Sequence, residues 1–161
     1  MFTFSDILDI AVKIEENGEA YYRRALKSVS DPDLVRMFQW LAEEEAAHAD
    51  RFADMRTRID DASKEDSQLA GIGRALLRDA VSEKGFSLDD TEAADISRVK
   101  TLIDLSVTFE QDTVDFYNLL RPFVADAQDR QLLDEIIAQE NEHIKRLQSF
   151  LASGVPDFNA Q

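Results

Sequence analysis

Glu45-Ala46-Ala47-His48 sets an acid and a histidine three residues apart on a stretch whose apolar residues keep helical spacing. Leu34, Phe38, Leu41, Glu45, His48, Phe52, Met55 and Ile59 follow one another in steps of four and three, so they share one helix face. An amphipathic helix normally turns its carboxylates to the opposite face. The same anomaly recurs at Glu140-Asn141-Glu142-His143, inside the stripe Leu133, Ile136, Glu140, His143, Leu147 and Phe150. The chain has 2 histidines, and both stand in this pattern.

Two further stripes each carry one Glu. Leu8, Ala11, Glu15, Gly18, Tyr22, Ala25 and Val29 form the first, and Ile103, Ser106, Glu110, Thr113, Tyr117, Leu120 and Val124 the second. Each Glu-x-x-His begins 30 residues after a stripe Glu, from 15 to 45 and from 110 to 140. A constant offset of 95 residues, without gaps, superposes the two halves. It also pairs Asp9 with Asp104, Val12 with Val107, Tyr22 with Tyr117, Val29 with Val124, Asp31 with Asp126 and Arg51 with Arg146. The chain is an internal repeat of a helix pair.

The punctuation agrees. The first helix is expected from about Ser5 to Val29. Asp31-Pro32-Asp33 supplies an N-cap, a proline at the first helical position and an acidic first turn, which starts the second helix. Residues 60–95 lose the long pattern and contain Gly71-Ile72-Gly73 and Lys84-Gly85, which reads as a crossover with room for a short helix at 74–81. The third helix starts near Thr91 or Asp95 and runs to about Val124. The fourth spans roughly Ala127 to Ala152, before Ser153-Gly154-Val155-Pro156 stops it. The expected fold is all-α: one four-helix-bundle domain over 1–161, built from hairpins at about 5–59 and 100–152. The long connection between helices 2 and 3 allows them to run parallel.

Composition narrows the function. The chain has 161 residues, a formal net charge of −15 and no Cys. Phosphate contacts need Lys and Arg, so nucleic-acid binding is not expected, nor is docking on anionic membranes. Disulfides, thiolate metal sites and a cysteine nucleophile are excluded. No window has the roughly 18 uncharged apolar residues of a membrane span, and the first residues lack a signal-peptide pattern. A cytoplasmic protein is expected.

Four carboxylates at one level of a bundle interior cannot all stay ionised without a counter-charge. Two divalent cations balance them, and a Glu/His donor set suits iron or manganese, and also zinc. A Glu from each of two helices plus Glu-x-x-His from each of the other two is the ligand pattern of carboxylate-bridged dinuclear bundles.

Glu15 with Tyr22, Glu45-x-x-His48-Ala49-x-Arg51-Phe52, Glu110 with Phe116-Tyr117, and Glu140-x-x-His143 resemble the rubrerythrin-like branch of the ferritin-like di-iron carboxylate superfamily. The resemblance covers all four helices and implies a ferritin-like four-helix bundle with a long crossover. It implies that Glu15 and Glu110 are terminal ligands, one to each metal. Glu45 and Glu140 would bridge the two metals, His48 and His143 would be terminal nitrogen ligands, and Tyr22 and Tyr117 would lie close around them. Two departures stand out. Rubrerythrins carry an extra Glu one turn after the third-helix ligand. Here that position is Thr113, with Gly18 as its repeat mate. The Cys-rich rubredoxin module is also missing. The site is therefore expected to be close to two-fold symmetric, with no seventh protein ligand.

The leading expectation is a di-iron oxidoreductase that reduces hydrogen peroxide or O2 or oxidises Fe(II), drawing electrons from a separate donor protein. Manganese and zinc are the alternative metals. An iron-binding or storage component, and a bundle with a purely structural metal, are the competing readings. A homo-oligomer is expected, with a dimer favoured over a cage. Trp40, off the helix 2 stripe, is expected to pack or to face an interface. Arg51 and Arg146 are expected in surface or inter-helix ion pairs.

Overall fold

The computed structural model of the chain describes residues 4–59 and 96–153. Four long helices account for nearly all of them: α1 (Phe4–Ala25), α2 (Pro32–Ile59), α3 (Ile96–Leu120) and α4 (Ala127–Ser153). No strand occurs among the described residues. The expected crossover at 60–95, its short helix at 74–81, the first residues of the third helix and the stop at 154–156 lie outside them.

Local chemistry sets the boundaries. The Asp31 carboxylate accepts from the backbone N–H of Asp33 and Leu34 at 2.9 and 3.0 Å, and its carbonyl accepts from Val35 N–H at 2.9 Å. This is an N-cap that satisfies two of the donors a helix start leaves open. Asp126 repeats it at the start of α4. Its carboxylate accepts from Gln128 and Asp129 N–H at 2.8 and 3.0 Å, and its carbonyl from Arg130 N–H at 3.0 Å. Every partner is shifted by the 95-residue offset.

The preceding helices also end alike, and earlier than the apolar stripes suggest. α1 gives way at Ala25 to a 3-10 turn over Leu26–Ser28, and α3 at Leu120 to one over Arg121–Phe123. Val29 and Val124, the last stripe positions, are extended rather than helical. A tighter last turn satisfies terminal carbonyls. Pro122, with no N–H to offer, also helps to end α3. The Arg130 guanidinium then donates to the Val124 carbonyl at 3.0 and 2.8 Å, tying the start of α4 to the end of α3.

The chain divides into two compact units, residues 1–21 with 42–91 and residues 22–41 with 92–161. In the first, the described parts of α1 and α2 bury Ile7, Leu8, Ala11, Tyr21, Ala42, Phe52 and Met55. In the second, α3 and α4 pack on one another. Its core holds Ile103, Tyr117, Leu120, Leu133, Ile136 and Leu147, with Tyr22, Leu34, Phe38 and Leu41 from the segment 22–41. Tyr22 stacks on Phe38 with ring centroids 5.8 Å apart. All but Ile7, Tyr21 and Ala42, which flank the stripes, are stripe positions, so the helical period read in the sequence is the main period of burial. No helix among the described residues is long and apolar enough to cross a membrane.

The two Asp caps carry an expected energetic signature. Asp31→Ala and Asp126→Ala should each destabilise the folded chain by about 1 kcal/mol, with Asn largely restoring it. Urea denaturation measures this, and a cost near zero at either position would mean that its cap is redundant.

Candidate metal centre

Each unit buries one acid–acid–histidine triad. In the first, α1 supplies Glu15, and α2 supplies Glu45 and His48 from successive positions of one face. All three residues are fully buried. Each offers a ligand atom within 4.8 Å of the others. The His48 Nδ1 lies 3.6 Å from Glu15 Oε2.

In the second unit, α3 supplies Glu110, and α4 supplies Glu140 and His143. These are equally buried, and their ligand atoms also fall within 4.8 Å of one another. The His143 Nδ1 lies 3.6 Å from Glu110 Oε2 and 2.9 Å from Glu140 Oε2. The histidine-to-glutamate spacing of the first triad thus recurs unchanged in the second.

This donor set fits a divalent cation. Carboxylate oxygens and an imidazole nitrogen converge in the dry interior, where two acids outnumber the one base in each triad. A neutral imidazole and ionised carboxylates are borderline-to-hard donors of the kind iron, manganese and zinc accept. The same crowding acts on protons when metal is absent. Burial, and then the negative charge of Glu140, push the Glu110 carboxyl up to about 8, against an opposing pull from His143.

Around the second triad, Tyr22 reaches a candidate ligand. The Tyr22 hydroxyl donates to Glu110 Oε1. The contact joins the end of α1 to the middle of α3 and gives this phenol a role beyond filling the core. Tyr117 is fully buried and packs edge-on against Phe116 at 5.5 Å. Thr113 is also buried, and its hydroxyl donates to the Phe109 carbonyl at 2.9 Å. The position one turn beyond Glu110 is thus occupied with its own helix backbone.

Two residues matter more here than their sequence pattern indicates. Trp40 is half-buried, with its indole 5.0 Å from the His143 ring at an interplanar angle of 86°. Arg146 lies over the same indole, with Cζ 4.5 Å from the ring centroid. It also donates to Glu142 at 3.1 Å. The expected packing role of Trp40 therefore has a specific partner, a candidate ligand. Arg146 pairs along its own helix as well as stacking. The Glu142/Arg146 spacing of four was readable in the sequence, but nothing in the spacing of Trp40 connects it to α4.

The rubrerythrin family model matches residues 6–151. A solved structure from Thermotoga maritima, named as a ferritin-like diiron-carboxylate protein, superposes with a TM-score of 0.69. It is 22% identical, and the match covers 96% of this chain and 97% of that one. No curated protein matches. The fold is the ferritin-like four-helix bundle.

The raised Glu110 carboxyl predicts how the metal-free chain responds to pH. Between the ordinary value of 4.5 and about 8, folded Glu110 keeps a proton that the unfolded chain has lost. Stability then falls as pH rises through that window and levels off above it. Urea denaturation of metal-free protein from pH 5 to 9 should show the decline, and Glu110→Gln should flatten it. An equally steep decline in the variant would place its cause elsewhere.

Proposed function

Because the chain belongs to the rubrerythrin family, we propose that Glu15, Glu45, His48, Glu110, Glu140 and His143 bind two metal ions, iron in the cell, and that the protein is a di-iron oxidoreductase acting on hydrogen peroxide or O2, or oxidising Fe(II). The observation that carries this reading is the pair of buried triads with equal 3.6 Å histidine-to-glutamate spacing. A polar network retained only for packing has no reason to bury two acids against one imidazole twice over.

Bound iron would supply two electrons, one from each ion, so that peroxide and two protons end as two waters. The side chains prepare the ground for that chemistry. Glu45 and Glu140 would hold the ions as bridging carboxylates, a ligand type that shifts readily between bridging and chelating. Glu15 and Glu110 would hold the ions as terminal carboxylates, and His48 and His143 as terminal imidazoles. The Tyr22 phenol holds Glu110 Oε1 by its hydrogen bond and keeps a proton at the edge of the site. Thr113, bonded to its own helix, adds no further ligand. Electrons for repeated turnover are assigned to a separate donor protein, and the working form to a homo-oligomer, a dimer.

Anaerobic titration with Fe(II), followed by addition of peroxide, tests the reading. Two irons per chain, and a near-ultraviolet absorption rise faster than for free iron, are expected. Two irons that fail to react would leave a binding or storage protein, and fewer than two would defeat the ligand assignment. A paired test concerns stability. Glu45→Ala/Glu140→Ala should lose the metal-dependent rise in melting temperature yet be no less stable than the metal-free parent at pH 7, because it removes two crowded charges. If that variant unfolded while the metal-free parent stayed folded, the glutamates would be structural partners and not ligands.

A further inference from the structure

On the second unit a candidate ligand and a solvent-touching ring are in contact. His143 is 1% exposed, so a molecule docked on the surface cannot reach it directly. Trp40 is half-buried, and its indole meets the His143 imidazole with centroids 5.0 Å apart and the rings at 86°. The edge-to-face pair therefore runs from the surface to a candidate metal ligand. Arg146 lies over the indole with Cζ 4.5 Å from the centroid, and its bond to Glu142 at 3.1 Å holds it there. The ligand assignment uses the imidazole and leaves the indole without a chemical role.

The proposed reaction needs such a line of groups. A metal pair that gives two electrons to an oxidant must receive two before it can act again, and every candidate ligand is buried. Electron transfer slows steeply as the gap between donor and acceptor widens, and a conjugated ring carries electronic coupling across a gap better than a saturated side chain does. An indole that touches both solvent and a ligand imidazole shortens the gap on both sides. The cation on its face decides how the indole takes part. A guanidinium there raises the cost of removing an electron from the ring. The indole thus couples donor to site without itself being oxidised.

We propose that Trp40 is the electron-entry residue: a one-electron donor docked over it passes its electron through the indole and the His143 imidazole to the metal pair. In each transfer the donor is oxidised by one electron and one ferric ion is reduced to ferrous. Both rings begin and end neutral, and no bond in them breaks. Two transfers restore the ferrous pair. This rests on the di-iron oxidoreductase reading above and names the place where its donor acts.

The formal net charge of −15 favours encounter with a cationic donor, so reduced methyl viologen is the probe. Full-length protein is loaded with Fe(II), oxidised with one equivalent of peroxide and mixed anaerobically with the viologen. No peroxide remains, so the loss of viologen colour reports electron entry and not turnover. Trp40→Leu should slow this reduction about tenfold. Trp40→Phe, whose smaller ring leaves a wider gap, should fall between. Three properties should stay at wild type in both variants: calorimetric binding of two Zn(II) ions, the midpoint potential, and the rate at which peroxide oxidises the ferrous form. None of them depends on how fast electrons enter. An unchanged reduction rate in the Leu variant would overturn the proposal. So would slower reduction accompanied by weaker zinc binding or by a shifted potential, which would make Trp40 a packing residue. Should the Leu variant fail to fold, the Phe variant carries the test, and a wild-type reduction rate in it would overturn the proposal. A wild type that binds fewer than two ions would overturn the metal reading itself, and one that binds two but accepts no electrons would overturn the redox reading.

Discussion

Carboxylates and imidazoles forced into a dry helical interior are the constraint to which the rest of this structure answers. Glu15, Glu45, Glu110 and Glu140 all lie at 0% exposure, in the apolar stripes of helices whose other faces are densely charged. Burying an ionised carboxylate without compensation is expensive enough that the group gives up its charge instead. The Glu110 carboxyl shows this pressure directly, held up near 8 by burial and by Glu140. A fold that buries two acids against one imidazole in both of its repeats, where apolar side chains would avoid that cost, is built around what those groups can bind.

The repeat governs more than the ligands. The caps at Asp31 and Asp126 match partner for partner, as do the 3-10 turns at Leu26–Ser28 and Arg121–Phe123. Each device sets the phase of the helix that follows it. A cap moved by one residue would rotate the next helix by about 100° and carry Glu and His off the interior face. Matching caps therefore preserve matching ligand positions, which explains why the 95-residue offset runs without a gap through segments whose other residues have diverged.

Divergence between the two halves reaches the residues beside the ligands. Gly18 faces Thr113 in the repeat, and Trp40 faces Glu135. The residues that would touch metal are held constant, and of their neighbours Tyr22/Tyr117 and Arg51/Arg146 are kept while others differ. A duplicated hairpin can in this way keep a matched set of donors and still make its two halves behave differently.

Period, caps and ligand candidates were legible in the sequence because each is a local property of one helix. The steps of three and four identify the buried face, Asp-x-x cap geometry closes within four residues, and a Glu three residues before a His must share that face. The resemblance implied that Tyr22 lies near the ligands, but the individual contacts between helices distant in the chain were not legible in the spacing. The Tyr22 hydroxyl on Glu110 spans 88 residues, and Trp40 reaches His143 from a position outside the α2 stripe. The helix ends also shifted, from Val29 and Val124 to Ala25 and Leu120, because the last stripe residues stand beyond a 3-10 turn that buries nothing itself, and apolar spacing alone does not register the tighter backbone. The sequence alone determined which side chains turn inward, since helical geometry converts spacing directly into direction. Only the tertiary structure decided which of them meet, since that depends on how helices far apart in the chain pack, and no spacing within a single helix encodes it.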